Sequence, residues 1–190
     1  MNSRTTVAPS WRALLLLLIC LTAVVVAAFL EPVAQDSRYH GFADQRDWAN
    51  IPNILNVLSN GPFLIAGIAG LMALRSAPVT AVSRTCLMVF FSGVTLTALG
   101  SAAYHWRSDN ATLLWVRLPM TLAFAGLMAL VISEYLSNKL AGRLLWPMLL
   151  AGLLSVVYWL WTESHGRGDL RWYVLVQFLP LVLIPLILLL

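Results

Sequence analysis

Ser101 and His105 stand four residues apart in "GSAAYHWRSDNATLLWVRLPMT", residues 100–121, which close one long apolar segment and open the next. On a helix that spacing puts a hydroxyl and an imidazole on one face. An ionisable side chain at membrane depth marks a site, and imidazole serves as proton carrier or metal ligand. The same pair has a structural reading: Ser101 bonds back to its own helix, and His105 anchors the interface beside Tyr104 and Trp106. In the following "SDNAT", Asp109 or Asn110 suits the cap of the next helix, and Asp109 also suits a metal or acid/base carboxylate. Asn110-Ala111-Thr112 matches a glycosylation acceptor in form only. Arg117, one to two turns into that helix, must snorkel or pair.

Two further polar runs flank this one. "YHGFADQRDWANIPNILNVLSNGPF" offers Asp44, Asp47, Asn50, Asn53, Asn56, Ser59 and Asn60, oxygen donors suited to a hard cation such as calcium. Asn53, Asn56 and Asn60 are spaced to line one helical face, which points them at other helices, so interhelical hydrogen bonding is the alternative to ion binding. "WTESHGRGDLRWYVLVQF" joins Glu163, His165, Asp169, Arg171 and Gln177 around a turn set by Gly166 and Gly168. Asp169 and Arg171 are placed to pair there. His40, His105 and His165 all fall on one side of the chain's alternating topology. They either make a single-sided site or, for His40 and His165, are ordinary wetted loop residues.

The elements that must position these residues follow from composition. The chain is 60% hydrophobic and 11% charged, with a mean hydropathy of +0.82, against roughly 25% charged in soluble domains. Lipid is therefore the solvent for most of it. Apolar windows near 11–30, 53–74, 85–105, 112–136, 141–162 and 171–190 have the roughly 20-residue length that crosses a bilayer. Their continuity selects helices over a barrel. The expected fold is an all-α integral membrane protein with about six spanning helices.

Gly67, Gly70, Gly93, Gly100, Gly126 and Gly152 are expected at close helix contacts. Pro62, Pro119, Pro147, Pro180 and Pro185 are expected at kinks or first turns. Cys20 and Cys86 lie inside apolar segments and read as small hydrophobes. The net charge of +4 comes without a basic run, so nucleic acid is excluded as a partner. With a cytoplasmic N terminus, Arg4, Arg12, Arg75, Arg84, Lys139 and Arg143 lie inside against Arg38, Arg46, Arg107, Arg167 and Arg171 outside, a narrow vote under the positive-inside rule. Residues 1–38 form an N-terminal segment whose first helix reads as a retained anchor. Residues 39–190 form the main membrane domain.

The three polar blocks, in this order and spacing, resemble the bacterial branch of the alkaline ceramidase family. That family belongs to a wider superfamily of membrane hydrolases that includes the adiponectin-receptor group. The likeness covers residues 39–190. It implies part of a seven-helix-type core, preceded here by an extra N-terminal helix, in a bacterial inner membrane. It also implies a zinc ion that activates water to cleave a ceramide-like amide, drawn from the bilayer, into a long-chain base and a fatty acid. In the family the ligands look like one histidine of a Ser-x3-His motif and two of a His-x3-His motif on the last helix. Ser101 and His105 match the first motif, Ser101 as the catalytic serine and His105 as the metal ligand. Three imidazoles would leave a fourth zinc position for water, whose pKa falls to about 7.

Two positions depart from the family pattern. Val116 stands where an aspartate is expected, eleven residues after the histidine, and no His-x3-His occurs in the 190 residues. The chain is accordingly expected to lack the family's last helices and to be catalytically impaired on its own. The alternative is an inactive lipid-binding or scaffold protein that keeps the fold. The resemblance further implies calcium near the first core helix, with Asp44 and Asn53 as counterparts.

Overall fold

A computed structural model describes residues 10–190; Arg4, counted in the charge balance, lies outside the described residues. The chain forms α1 (Ser10–Phe29), α2 (Ile54–Leu58), α3 (Gly61–Ala73), α4 (Ala81–Trp106), α5 (Asn110–Tyr135), α6 (Asn138–Ser164) and α7 (Arg171–Leu189), with a 3-10 turn at Ser37–His40. Taken with α2 and α3 as one span, six helices are long and apolar enough to cross a membrane. This fits a multi-pass membrane protein.

The second span is broken where Pro62 was expected to kink a helix or mark its first turn. Pro62 has no N–H, and its ring would clash with the carbonyl four residues earlier, so the helix stops at Leu58 and restarts at Gly61. Asn60 fills the gap, its Nδ2 donating to Asn56 O at 2.8 Å and Val57 O at 3.3 Å. Asn53, with φ 51°, sits before α2 in left-handed backbone. The three asparagines therefore do not form the inward-facing row that their spacing predicts. Asn60 turns back on its own segment, and Asn53 alone reaches another helix.

α5 is the most buried span and packs against α4, α6 and α7, while α1 packs against α7 at the edge. The outward rows of α1, including Leu14, Leu17, Leu21 and Val25, are more than half exposed. In a bilayer those rows meet acyl chains. Close approach at α4–α5 rests on small residues: Gly93 lies on the Ala123 backbone and Gly126 on the Phe90 backbone, each too near for a Cβ. Gly67, Gly70 and Gly152 make equally tight contacts with Thr95, Phe91 and Thr121. The expectation of glycine contacts thus holds at all six positions, Gly100 included.

One end of the bundle is closed by the segment between α1 and α2. Leu170 N–H donates to Val33 O at 2.8 Å, Gln35 N–H to Glu163 Oε2 at 3.4 Å, and Asn53 Nδ2 to His105 O at 2.9 Å. This strap ties the α4, α6 and α7 ends together. Beneath it lies an aromatic layer of Tyr104, Trp159 and Tyr173.

Candidate functional site

His105 lies in the last turn of α4, half-buried, its ring 4.6 Å from that of Phe42. Its Nδ1 is buried and has no hydrogen-bond partner among the described residues. Ser101, one turn earlier and half-buried, shows no hydrogen bond from its hydroxyl among the described residues, so the expected back-bond is not made there. The crossing at Gly100, where a Cβ would stand 3.2 Å from Val116 N, brings Val116 next to the Ser101 turn. A single imidazole is one of the three protein donors a catalytic zinc takes. Among the described residues no group of three His, Cys, Asp or Glu side chains is gathered that could hold a metal. The donors in place therefore do not fit a zinc centre by themselves.

Asp44 and Asn53 both serve the start of α2. Asp44 Oδ1 pairs with Arg46 Nε at 2.5 Å and Oδ2 accepts the Leu55 N–H at 3.2 Å. The Arg46 hydrogen bond, foremost, holds the Asp44 carboxyl below its usual range. A cation would have to displace Arg46 to use those oxygens.

Asp109 is the cap that its position predicts. Its side chain accepts the Thr112 N–H at 2.7 Å while Thr112 Oγ1 accepts the Asp109 N–H at 3.2 Å, a reciprocal capping box. The Thr112 N–H is the main reason the carboxyl titrates below its usual range. Asp109→Ala is expected to lower the thermal midpoint while leaving helix content unchanged. Paired melting curves and far-UV circular dichroism in detergent check this.

His40 departs from the wetted-loop reading. Half-buried under the strap, it lies 2.9 Å from Tyr104 OH through Nδ1 and 3.0 Å from Asn110 Oδ1 through Nε2. Because Asn110 Nδ2 donates to Glu163 Oε1 at 3.4 Å, the Asn110 oxygen faces the imidazole, which assigns the ring proton to Nε2. His165 is an exposed loop residue with its ring tilted against that of Trp161 at 4.9 Å, as the loop reading has it.

The residues that sequence reasoning left outside the site are those around Arg117. This side chain neither snorkels nor pairs with an acid: it is 7% exposed, with its guanidinium carbon 3.9 Å from the Trp159 ring centroid and 4.9 Å from that of Tyr173. Nη2 donates to Gln35 Oε1, and Nη1 is buried without a partner among the described residues. Beside it, between α5 and α7, opens a cavity of about 240 Å³ lined by Tyr39, Val116, Arg117, Tyr173, Gln177 and Phe178, among others. Gln177 is 9% exposed, and its Oε1 is likewise unpartnered among the described residues. The exposed members of the lining are Tyr39 (57%) in the strap and Phe178 (51%) and Val174 (44%) on α7. The signal in the sequence was an arginine in an apolar span together with Tyr173 and Gln177 at i, i+4.

The fold, an all-helical bundle with six helices long and apolar enough to span, fits a multi-pass membrane protein, and between α5 and α7 it holds a mainly apolar cavity into which a few polar side chains converge. No family model, curated protein or solved structure matches the chain.

Proposed function

We propose that this chain is a membrane-embedded lipid-binding protein of the alkaline ceramidase type, which admits a lipid from the bilayer between α5 and α7. The observation that carries the reading is the cavity. Its α7 edge, Val174 and Phe178, is exposed and apolar, which in this reading meets acyl chains, and its inner wall carries Arg117, Tyr173 and Gln177. An apolar mouth with a few convergent polar groups suits an amphiphile. In this reading α2 to α7 are part of a seven-helix-type core in a bacterial inner membrane, and α1 is the added peripheral helix.

A second reading, zinc-dependent hydrolysis of a ceramide-like amide, is favoured by the unpartnered Nδ1 of His105 on the Ser101 face. A buried imidazole nitrogen left without a partner carries a desolvation cost that a bound metal would remove. This reading needs zinc donors beyond those gathered around His105, and Val116 supplies none.

Purified protein should retain about one lipid per chain through detergent exchange, read by native mass spectrometry. Complete delipidation of a folded sample sinks the lipid-binding reading. Metal analysis and fatty-acid release from a ceramide in the same sample decide the second reading. Zinc that is lost on His105→Ala, together with amide cleavage, supports hydrolysis. Lipid retained with neither supports binding alone.

A further inference from the structure

The cavity holds two unanswered hydrogen-bonding groups of opposite character. Arg117 Nη1 is a buried cationic donor, and Gln177 Oε1 is a buried acceptor. Both side chains are more than nine-tenths buried and line the same space. A buried charge left unpaired is costly, and a buried polar atom without a partner costs about 1–3 kcal/mol, so an occupant that answers both groups gains on both counts. The nearest candidate counter-ion, Glu163, is engaged elsewhere: its oxygens accept from Gln35 N–H and Asn110 Nδ2. The four ion pairs among the described residues, at Arg38, Arg46, Arg107 and Arg171, leave Arg117 out.

Arg117 lies seven residues inside α5, about 10 Å below its first residue at 1.5 Å per residue. A space of about 240 Å³ at that depth takes a headgroup fragment while the acyl chains leave past Phe178. The guanidinium lies against the Trp159 and Tyr173 rings, which restrain it, and its Nη1 is left for a ligand.

We propose, resting on the lipid-binding reading, that Arg117 binds the phosphate oxyanion of an anionic phospholipid and that Gln177 accepts a hydrogen bond from a hydroxyl on the same headgroup. A simple carboxylate answers only the arginine. A zwitterionic choline headgroup offers no hydroxyl and brings a cation toward Arg117. A glycerol-type headgroup offers an oxyanion and a hydroxyl a few bonds apart.

The test uses the full chain in detergent, with retention of phosphatidylglycerol, phosphatidic acid and phosphatidylcholine measured by native mass spectrometry and by competition with a fluorescent lipid. Wild type is expected to hold phosphatidylglycerol about tenfold more tightly than phosphatidylcholine: both carry the phosphodiester that Arg117 contacts, but only the glycerol headgroup supplies a hydroxyl to Gln177, and the choline cation opposes Arg117. Arg117→Met should weaken retention of both phospholipids and narrow the margin between them, because the phosphate contact and the repulsion of choline are lost together while the glycerol hydroxyl still meets Gln177. Val116→Asp, which sets a carboxylate in the cavity wall beside Arg117, should weaken phosphatidylglycerol retention as well and covers the case in which the methionine variant misfolds. Gln177→Leu should retain the preference over phosphatidylcholine but no longer favour phosphatidylglycerol over phosphatidic acid. Equal retention of the glycerol and choline lipids by wild type overturns the proposal and leaves lipid binding standing, as does an Arg117→Met variant that holds phosphatidylglycerol as tightly as wild type. Failure to hold any of the three overturns both readings.

Discussion

Gly100→Ala is expected to destabilise the protein by about 3 kcal/mol, the upper end of the usual cost of overpacking a close contact, although alanine is the better helix former. A Cβ at position 100 would stand 1.8 Å from Trp115 O and 2.5 Å from Trp115 C. Both are backbone atoms of α5, and no rotamer change moves them away. Relief requires α4 and α5 to separate along the bundle's central contact. Separation would also shift Val116 and Arg117, which follow Trp115 directly and line the cavity. Gly142→Ala is the matched control. It lies inside α6, where a new Cβ would meet nothing nearer than the Val82 methyls at 3.9 Å. That variant should hold its stability or gain about 0.5–1 kcal/mol from better helix propensity. Thermal unfolding of both proteins in one detergent decides the matter. Equal midpoints for Gly100→Ala and wild type would mean that the close crossing is not a constraint on the fold.

The spans were legible because lipid imposes a simple rule: every backbone group must be bonded within the segment, so long apolar windows become helices. Asp109 and the Asp169–Arg171 pair were legible for a related reason, since both act on neighbours within three residues. The break at Asn60 was legible as Pro62, a residue expected at a kink or first turn and found in the first turn of α3. The loop alternative for His40 and the snorkel-or-pair expectation for Arg117 fail because their partners lie far along the chain. His40 meets Tyr104 and Asn110, 64 and 70 positions away. Arg117 meets Gln35, Trp159 and Tyr173. Snorkelling or acid pairing is the usual fate of a membrane arginine when only its own helix is visible. Aromatic stacking requires two other helices to arrive at the right height, and a single span carries no record of that.

Asp169→Asn should cost about 3 kcal/mol, the low end for breaking a buried ion pair by removing one charge. The Asp169 and Arg171 side chains are only 3% and 14% exposed. Oδ1 accepts the Arg171 N–H at 3.1 Å and Nε at 2.9 Å, while Oδ2 accepts Nη2 at 2.8 Å and Tyr158 OH at 3.1 Å. An asparagine of the same shape turns an NH2 toward donors that need an acceptor. The backbone gives no relief: Gly168, with φ +43°, sits against Ala34, and Asp169 N–H is fixed to Thr162 Oγ1 at 3.0 Å. Arg171 also donates to Leu30 O, so this one carboxylate steadies the ends of α1, α6 and α7 together. The fork to Arg171, first among several causes, holds the Asp169 pKa below its usual value. With a depressed folded pKa, the stabilisation is present above the unfolded value of about 3.9 and is lost as pH falls through the lower folded value. Wild type should therefore lead Asp169→Asn by a constant margin from neutral pH down to about pH 4, and the two curves should converge below it. Unfolding midpoints taken from pH 7 to pH 3 test this, and curves that stay parallel throughout would show that the pair contributes by shape rather than by charge. The turn it locks immediately precedes Tyr173 and Gln177, so a loosened Asp169 should also weaken lipid retention, even though Asp169 does not line the cavity.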